Sequence, residues 1–491
     1  MPSPCLAEAV AVHGHLRPHE TALVSADRTV TYGELGELTQ SFRQSLLELN
    51  LPAGSTICVP AHKSPETIAL LLAAFLEGLV VLAPAPDLGA AALARLAQQA
   101  RATHVLTPSS VAVAIDALTA DAVQADEQEA TGFAAADPAR TCLLLTTSGS
   151  TGTPKIVPIA ATGFDAFAAW ATEEFALTDN DVALSYAPLN FDLALLDIWT
   201  FLQLGAQVVL VDQGRATDAP YVESLVADVT FIQGVPMLYR LLTEAGAESI
   251  PSPPHRPGRF ATVREVIFTG DSVPESLLKP VHDAFPNARF HNIFGCTETN
   301  DSFIHEVDPA TVTGKMPIGR PIAGTDALIR DGELLVATPF QTDGYLNTAL
   351  NAEAFETIEG RTFYRTGDLV TRDDDGLYSL QGRADWQVKV RGVRTNLQEV
   401  ERVISAHPDV IEAVVVPLPD EQAGVRLHAH VSRRLSSALT GLRLRTHAGQ
   451  HLPRHAIPTS VHITDDPMPR TSTGKPDRNL IKSNRLKEIH Q

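Results

Sequence analysis

Short apolar runs alternate along most of the chain with stretches whose apolar residues recur at helical spacing. Around "ALVSADRTVTYGEL" two brief strand-like segments lead into helical patterning through "SFRQSLLELN", and "STICVPAHKSPETIALLLAAFLEGLVVLAPAPD" repeats the cycle. Strands alternating with helices of roughly 10–15 residues predict an α/β fold on a parallel sheet. "RATHVLTPSS" predicts another strand end, "DEQEATGFAAADPART" an acidic connector, and "ATGFDAFAAWATEEF" a helix. Farther on, "DVALSYAPLNFDLALLDIWTFLQLGAQVVLVD" reads strand, helix, strand. "VTFIQGVPMLYRLL", "VREVIFTGDSVP" and "ARFHNIFGCTETN" each run an apolar strand into a turn or polar loop. Ligands of open α/β sheets bind beyond the carboxyl ends of strands, so these loops predict a ligand-binding face in the middle of the chain.

From Gly332 the texture changes to short β segments ("GELLVATPF", "TFYRTGDLV", "GLYSLQGR") and then to "DWQVKVRGVRTNLQEVERVISAHPDVIEAVVVPLPD", typical of a small α+β unit. At 491 residues the chain exceeds one compact core. We place the boundary at Gly382–Asp385, giving a large α/β domain of layered sheets and helices over 1–383 and a small α+β domain over 384–491.

Composition narrows the class. Hydrophobic content of 44% and charged content of 20% describe an ordinary globular protein. Four cysteines without metal spacing predict neither a disulfide framework nor a zinc site. The N-terminus has no basic start, and no run approaches ~18 apolar residues, so a cytoplasmic protein with no membrane partner is expected. A net charge of −20 argues against nucleic acid as a partner. That charge is uneven: from Asp385 onward 16 Lys and Arg face 11 Asp and Glu, a net of +5, which leaves −25 on residues 1–384.

The most informative stretch is "LLLTTSGSTGTPKIVP" at 143–158. An apolar strand opens into a loop of Thr147, Ser148, Gly149, Ser150, Thr151 and Gly152, closed by Lys155. Glycines let backbone N–H groups approach an anion, and hydroxyls with one ammonium add donors and charge, so the loop predicts phosphate binding. The Walker A spacing is absent. A flexible linker is the bland alternative, but linkers seldom sit between two hydrophobic strands.

With "TYGEL" (31–35), "SGSTGTPK" (148–155), "NFDLALLDIW" (190–199), "NIFGCTET" (292–299), "YRTGDL" (364–369), "GRADWQVKVRG" (382–392), "LPRHAIP" (452–458) and "TSTGKPDR" (471–478) in order, the chain resembles the adenylate-forming enzymes. That family includes acyl-CoA synthetases, firefly luciferase and the adenylation domains of nonribosomal peptide synthetases. The resemblance implies attack of a carboxylate on the α-phosphate of ATP, release of pyrophosphate, and displacement of AMP by a thiol. An anion meeting a polyanion calls for Mg²⁺, a lysine and a donor-rich loop. By resemblance, Ser148–Lys155 hold the β- and γ-phosphates, and Thr297 with Glu298 binds Mg²⁺ or the α-phosphate. Asn292 and Phe294 hold adenine, Asp368 the ribose hydroxyls, and Arg383 ribose or phosphate. Lys475 bridges the carboxylate and the α-phosphate. Asp385 sits at the hinge about which a mobile C-terminal domain swings. The region "GELLVATPFQTDGYL" is a shortened version of the family's glycine-rich segment, and correspondence there is loose.

The same resemblance addresses the substrate. The Asp of "FDLALLD", Asp192, falls where amino-acid-activating members bind the substrate ammonium. The other pocket positions align with Leu193, Leu196, Gln233, Ile267, Thr269, Gly270, Ile293, Asp301 and Ser302. Four polar residues in that lining predict a polar or cationic side chain, because a plain aliphatic one leaves them unsatisfied. The motif also resembles stand-alone enzymes that load β-amino acids, D-alanine or proline in natural-product biosynthesis. No "GGxS" carrier site follows "TSTGKPDR", so the acceptor thiol is expected in trans, from a free-standing carrier protein in preference to coenzyme A. The competing readings are an acyl- or aryl-CoA synthetase and an inactive adenylation-like binding protein.

Overall fold

The structure is a computed structural model that describes residues 5–88, 90–109, 113–114, 133–137, 139–147, 155–244, 258–312, 314–383, 387–390, 393–420, 424–435, 437–452, 456–471 and 474–489. Two compact units result: Met1–Leu328, Leu335–Thr366 and Arg372–Ser379 form the first, and Ile329–Leu334, Gly367–Thr371 and Leu380–Gln491 the second.

In chain order the strands of the first unit are β1 (Thr21–Val24), β2 (Thr29–Thr31), β3 (Thr56–Cys58), β4 (Val80–Leu82), β5 (His104–Val105), β6 (Val113–Ala114), β7 (Thr141–Thr147), β8 (Lys155–Ala160), β9 (Val182–Ser185), β10 (Gln207–Leu210), β11 (Phe231–Gly234), β12 (Glu265–Phe268), β13 (Arg289–Cys296), β14 (Asn300–Val307) and β15 (Arg320–Pro321). They build a nine-stranded sheet of order β15-β14-β13-β12-β11-β9-β10-β1-β2 and a six-stranded sheet of order β6-β5-β3-β4-β7-β8. The expected parallel pairing holds through both centres, from β1 to β13 in one and from β5 to β7 in the other. Both sheets finish on antiparallel strands, at β2 and at β14 with β15 in the first and at β6 and β8 in the second. Short hairpins at the edges need no crossover helix, which is why strand–helix alternation does not reveal them.

Local chemistry sets the helix starts. "TYGEL" is a capping box: the Thr31 hydroxyl accepts from Glu34 N–H while the Glu34 carboxylate accepts from Thr31 N–H. Ser64 caps helix Pro65–Leu76, with proline at its first turn. That helix is apolar on nearly all sides and buried on nearly all sides, packing with helix Ala161–Glu174 into one core fed by both sheets. A second core of Val, Leu and Phe covers the other face of the nine-stranded sheet.

The chain passes between the units within β16 (Asp326–Arg330), β17 (Glu333–Ala337), β19 (Arg361–Arg372) and β20 (Tyr378–Arg383), while β18 (Phe355–Ile358) belongs to the first unit. In the second unit a hairpin of β21 (Gln387–Val390) and β22 (Val393–Asn396) leads to helix Leu397–Ser405, capped by Asn396. Next come β23 (Val410–Asp420), β24 (Gly424–Arg433) and β25 (Ser460–Thr464), a three-stranded sheet closed by helix Arg478–Ile489. This is the strand, turn, helix, strand order read from the sequence, and it has its own core.

Candidate active site

The donor-rich loop spans the ends of an antiparallel hairpin. Thr147 on β7 pairs directly with Lys155 on β8, so the loop's two ends are fixed opposite each other. Ser148, Gly149, Ser150, Thr151 and Gly152 lie outside the described residues. Lys155 Nζ lies 3.3 Å from the Tyr345 hydroxyl and 4.7 Å from the centroid of its ring. The same hydroxyl donates to Glu298 Oε1 and lies 3.3 Å from the Tyr364 hydroxyl. Burial, with the Glu298 charge adding to it, holds both phenols well above the ordinary tyrosine range. Tyr345 therefore remains a neutral donor that fixes one oxygen of Glu298, while the other oxygen accepts no hydrogen bond among the described residues.

Glu298 stands in a tight connection. Cys296 pairs with Asn300 across the β13–β14 hairpin, leaving Thr297, Glu298 and Thr299 as a three-residue loop followed by Asn300 in the left-handed region at φ 53°. Thr297, expected beside phosphate, donates its hydroxyl at 2.8 Å to Asp192 Oδ2. One turn thus joins the residue expected at the metal to the residue expected at the substrate amine.

Asp192 and Leu193, both half-buried, precede a π-helical turn, Leu195–Thr200, in which the Thr200 hydroxyl donates to Leu195 O five residues back. Single π-turns of this kind are frequent at functional sites. Leu196, Ile267 and Ile293 meet in the first core. Gln233 on β11 pairs with Ile267 on β12, which pairs with His291 on β13. Buried Thr269 follows β12, and Gly270 turns the chain away at φ 78°.

A bulge completes the pocket strands. Phe294 opposes Phe303, but Gly295 opposes Asp301, so Ser302 is the extra residue. A Cβ on Gly295 would lie 2.3 Å from Asn300 O, so only glycine fits there. The Ser302 hydroxyl is engaged within its own hairpin, 2.9 Å from Thr299 Oγ1 and 3.1 Å from Asn300 O. Asp301 is 7% exposed and its carboxylate makes no hydrogen bond among the described residues. Burial first, and then the Asp192 charge, push it up to about 7.

Asn292 gives its side-chain N–H to Pro317 O at 2.7 Å, and half-buried Phe294 meets Phe303 edge-on. In the second unit Asp368 is buried on β19, and Arg383 ends β20, its side chain outside the description. Lys475 is exposed in a turn held by Thr471 N–H to Lys475 O and by Arg470 to Gly474 O. Asp385 lies outside the described residues.

Residues 10–346 match the family model of the AMP-binding enzymes, and residues 399–475 match that of the AMP-binding enzyme C-terminal domain. The chain belongs to the AMP-binding enzymes, the adenylate-forming superfamily. It is a ligase-type ATP-using fold of the kind the motif order predicted. It is 30% identical, over 94% of its length and 95% of the relative's, to an L-proline–[L-prolyl-carrier protein] ligase of Pseudomonas fluorescens. A second such ligase, from Streptomyces coelicolor, is 32% identical over 69% of this chain and 65% of its own length. A dimodular nonribosomal peptide synthase of Bacillus subtilis is 27% identical over 95% of this chain, which spans only 20% of that synthase. Among solved structures, ATP-bound MatB from Rhodopseudomonas palustris superposes with a TM-score of 0.80 at 21% identity, covering 100% of both chains. Klebsiella oxytoca NpsA, in complex with 3-hydroxyanthranilyl-AMSN, gives 0.77 at 25% identity, over 99% of this chain and 100% of NpsA. Among the described residues no helix of this AMP-binding enzyme is long and apolar enough to cross a membrane.

Sequence reasoning missed Tyr345, the hydroxyl between Lys155 and Glu298. It lies in the shortened segment "ATPFQTDGYL", where correspondence to the family is loose, and only its contacts identify it.

Proposed function

We propose that this AMP-binding enzyme activates an amino acid as its aminoacyl-adenylate and passes it to the phosphopantetheine thiol of a separate carrier protein. The observation that carries this reading is the Thr297–Asp192 hydrogen bond. It orients a half-buried carboxylate one residue from Glu298, so that a substrate ammonium on Asp192 leaves the substrate carboxylate near the phosphate-binding turn. The carrier-protein ligases named above support the acceptor class.

In this reading the hairpin loop Ser148–Gly152 and Lys155 take the β- and γ-phosphates. Asn292, its amide turned by Pro317, and Phe294 frame adenine, while Asp368 and Arg383 take ribose. Lys475 neutralises the carboxylate and α-phosphate as they approach. Residues 1–383 then act as the adenylation core and 384–491 as the swinging part, hinged at Asp385. Glu298 fits Mg²⁺: one oxygen is held by Tyr345 and the other is open, and Mg²⁺ is commonly held by one or two carboxylates plus substrate phosphates. Bound there, the ion would neutralise charge on the phosphates. The polar pocket favours a polar α- or β-amino acid. The +5 stretch from Asp385 suits an acidic carrier, speeding encounter.

The test is pyrophosphate release with ATP and Mg²⁺ across α-, β- and D-amino acids, aryl acids and fatty acids. Release confined to an amino acid is expected. Release only with acids lacking an amine would overturn the reading and move the enzyme among acyl- or aryl-CoA synthetases.

A further inference from the structure

The pocket contains more acceptor capacity than a monoamine can use. Gln233, Ile267 and His291 lie in register across β11, β12 and β13, and Ile293 and Gly295 follow on the same side at two-residue steps. Asp301 opposes Gly295, and residues directly opposite in an antiparallel pair share a face. Gln233 and Asp301 thus belong to the face that carries Ile267 and Ile293.

Two side-chain acceptors on that face have no partner among the described residues. Gln233 is 1% exposed and its Oε1 meets no donor among the described residues. The carboxylate of Asp301, also buried, makes neither a hydrogen bond nor an ion pair among the described residues. Orphaned buried acceptors are costly, and each costs more than a typical hydrogen bond returns. Asp192 adds a second carboxylate whose charge reaches Asp301. A single substrate ammonium on Asp192 leaves Asp301 and Gln233 unanswered. Ser302 does not add to the demand, since its hydroxyl is satisfied within its own hairpin.

We propose that the side-chain pocket is built for a second amine: the substrate is a basic diamino acid whose reacting-end amine pairs with Asp192 and whose distal ammonium pairs with Asp301 and donates to Gln233 Oε1. This rests on the amino-acid reading above and separates the enzyme from the relatives named for proline. Proline offers one secondary amine and an aliphatic ring, with nothing for Asp301 or Gln233. A second ammonium also offsets, by direct attraction, the burial and the acidic neighbour that raise the Asp301 pKa.

The experiment is amino-acid-dependent ATP–pyrophosphate exchange by the full-length enzyme. Its panel is 2,4-diaminobutyrate, ornithine and lysine against norvaline, norleucine, glutamine and proline. One diamino acid should exceed its neutral isostere and proline by at least ~100-fold in kcat/KM, because a site built for a polar group rejects analogues that lack it. Asp301→Asn should shrink that ratio at least ~10-fold. The wild-type panel stands even if the variant does not fold. Preference for proline, norvaline or glutamine overturns the second-amine assignment and leaves amino-acid activation intact. A diamino preference unchanged in a folded Asp301→Asn overturns the role of Asp301. Exchange with no amino acid, alongside release with amine-free acids, overturns the underlying reading itself.

Discussion

Thr297 Oγ1 donates to Asp192 Oδ2 at 2.8 Å, tying the π-turn segment to the β13–β14 hairpin. Hydrogen bonds to charged groups contribute roughly 1.5–3 kcal/mol. Thr297→Val should therefore lower kcat/KM for the amino acid by about 10-fold or more, mostly through KM, with the KM for ATP little changed. Thr297→Ser, which keeps the donor, should recover most of it. Steady-state exchange kinetics with each substrate varied in turn decide the point. An effect confined to ATP would place Thr297 on the phosphate instead.

Tyr345 should be tested by removing one atom. Tyr345→Phe keeps the ring under Lys155 but deletes the hydroxyl that holds Glu298 Oε1. The expectation is a fall in kcat of about 10-fold and a higher Mg²⁺ requirement, read by titrating Mg²⁺ at saturating ATP and amino acid. An unchanged Mg²⁺ dependence would remove Glu298 from the metal's company.

Lys475→Ala should suppress adenylate formation by orders of magnitude and leave nucleotide binding nearly intact, because the side chain is exposed. Calorimetric ATP binding alongside exchange rates separates the two. Normal turnover by this variant would refute the assigned role.

Half-buried Lys63 and fully buried Asp197 attract one another electrostatically near the Asp192 segment. Lys63 Nζ donates to Ser185 O at 2.8 Å and Tyr186 O at 3.1 Å, and Asp197, fully buried in the π-turn, attracts it. Burial pushes Asp197 up and Lys63 down, while their mutual attraction opposes both shifts. Removing one partner of such a couple costs roughly 3–5 kcal/mol, because the other is left alone in the interior. Lys63→Met should lower the urea midpoint sharply, and Lys63→Met with Asp197→Asn should recover more than half of the loss. Simple additivity of the two changes would show that the charges do not interact.

His428 and His430, on alternate positions of β24, share a cavity of about 150 Å³ with His462, Arg485 and Glu488 beneath helix Arg478–Ile489. Burial, then Arg485 and the neighbouring histidines, push His428 down to about 4, and burial lowers His430 as well. A depressed histidine favours the neutral form in the fold. Stability is therefore full above the unfolded value near 6.5 and declines as pH falls from there toward 4. Urea midpoints across pH 4–7 should show that slope, and His428→Gln should flatten it. A slope of the opposite sign, or one untouched by the variant, would contradict the assignment.

What was legible in the chain follows from what periodicity can carry. Parallel strands, the loop between β7 and β8 and the small α+β unit each leave a local pattern of apolar runs and punctuation. The π-turn does not, since every residue from Leu195 to Thr200, polar Asp197 and Thr200 included, is buried and the stretch has no exposed face to measure. The bulge at Ser302 is equally silent, because it depends on which residue of β13 it meets. Tyr345 and the Lys63–Asp197 couple join positions 47 and 134 residues apart in sequence, so no local window contains either relationship. The motif order, in contrast, singled out both Asp192 and Thr297, and the structure brings the two into contact.

The extra residue in β14 separates two duties that neighbouring positions would otherwise share. Ser302 locks the hairpin that carries Glu298, and in the proposed reading Asp301 is the one that meets the substrate. An engineer wishing to redirect this enzyme to a new building block can therefore vary position 301 freely while keeping serine at 302 and glycine at 295. The choice of monomer is then rewritten without disturbing the machinery that activates it.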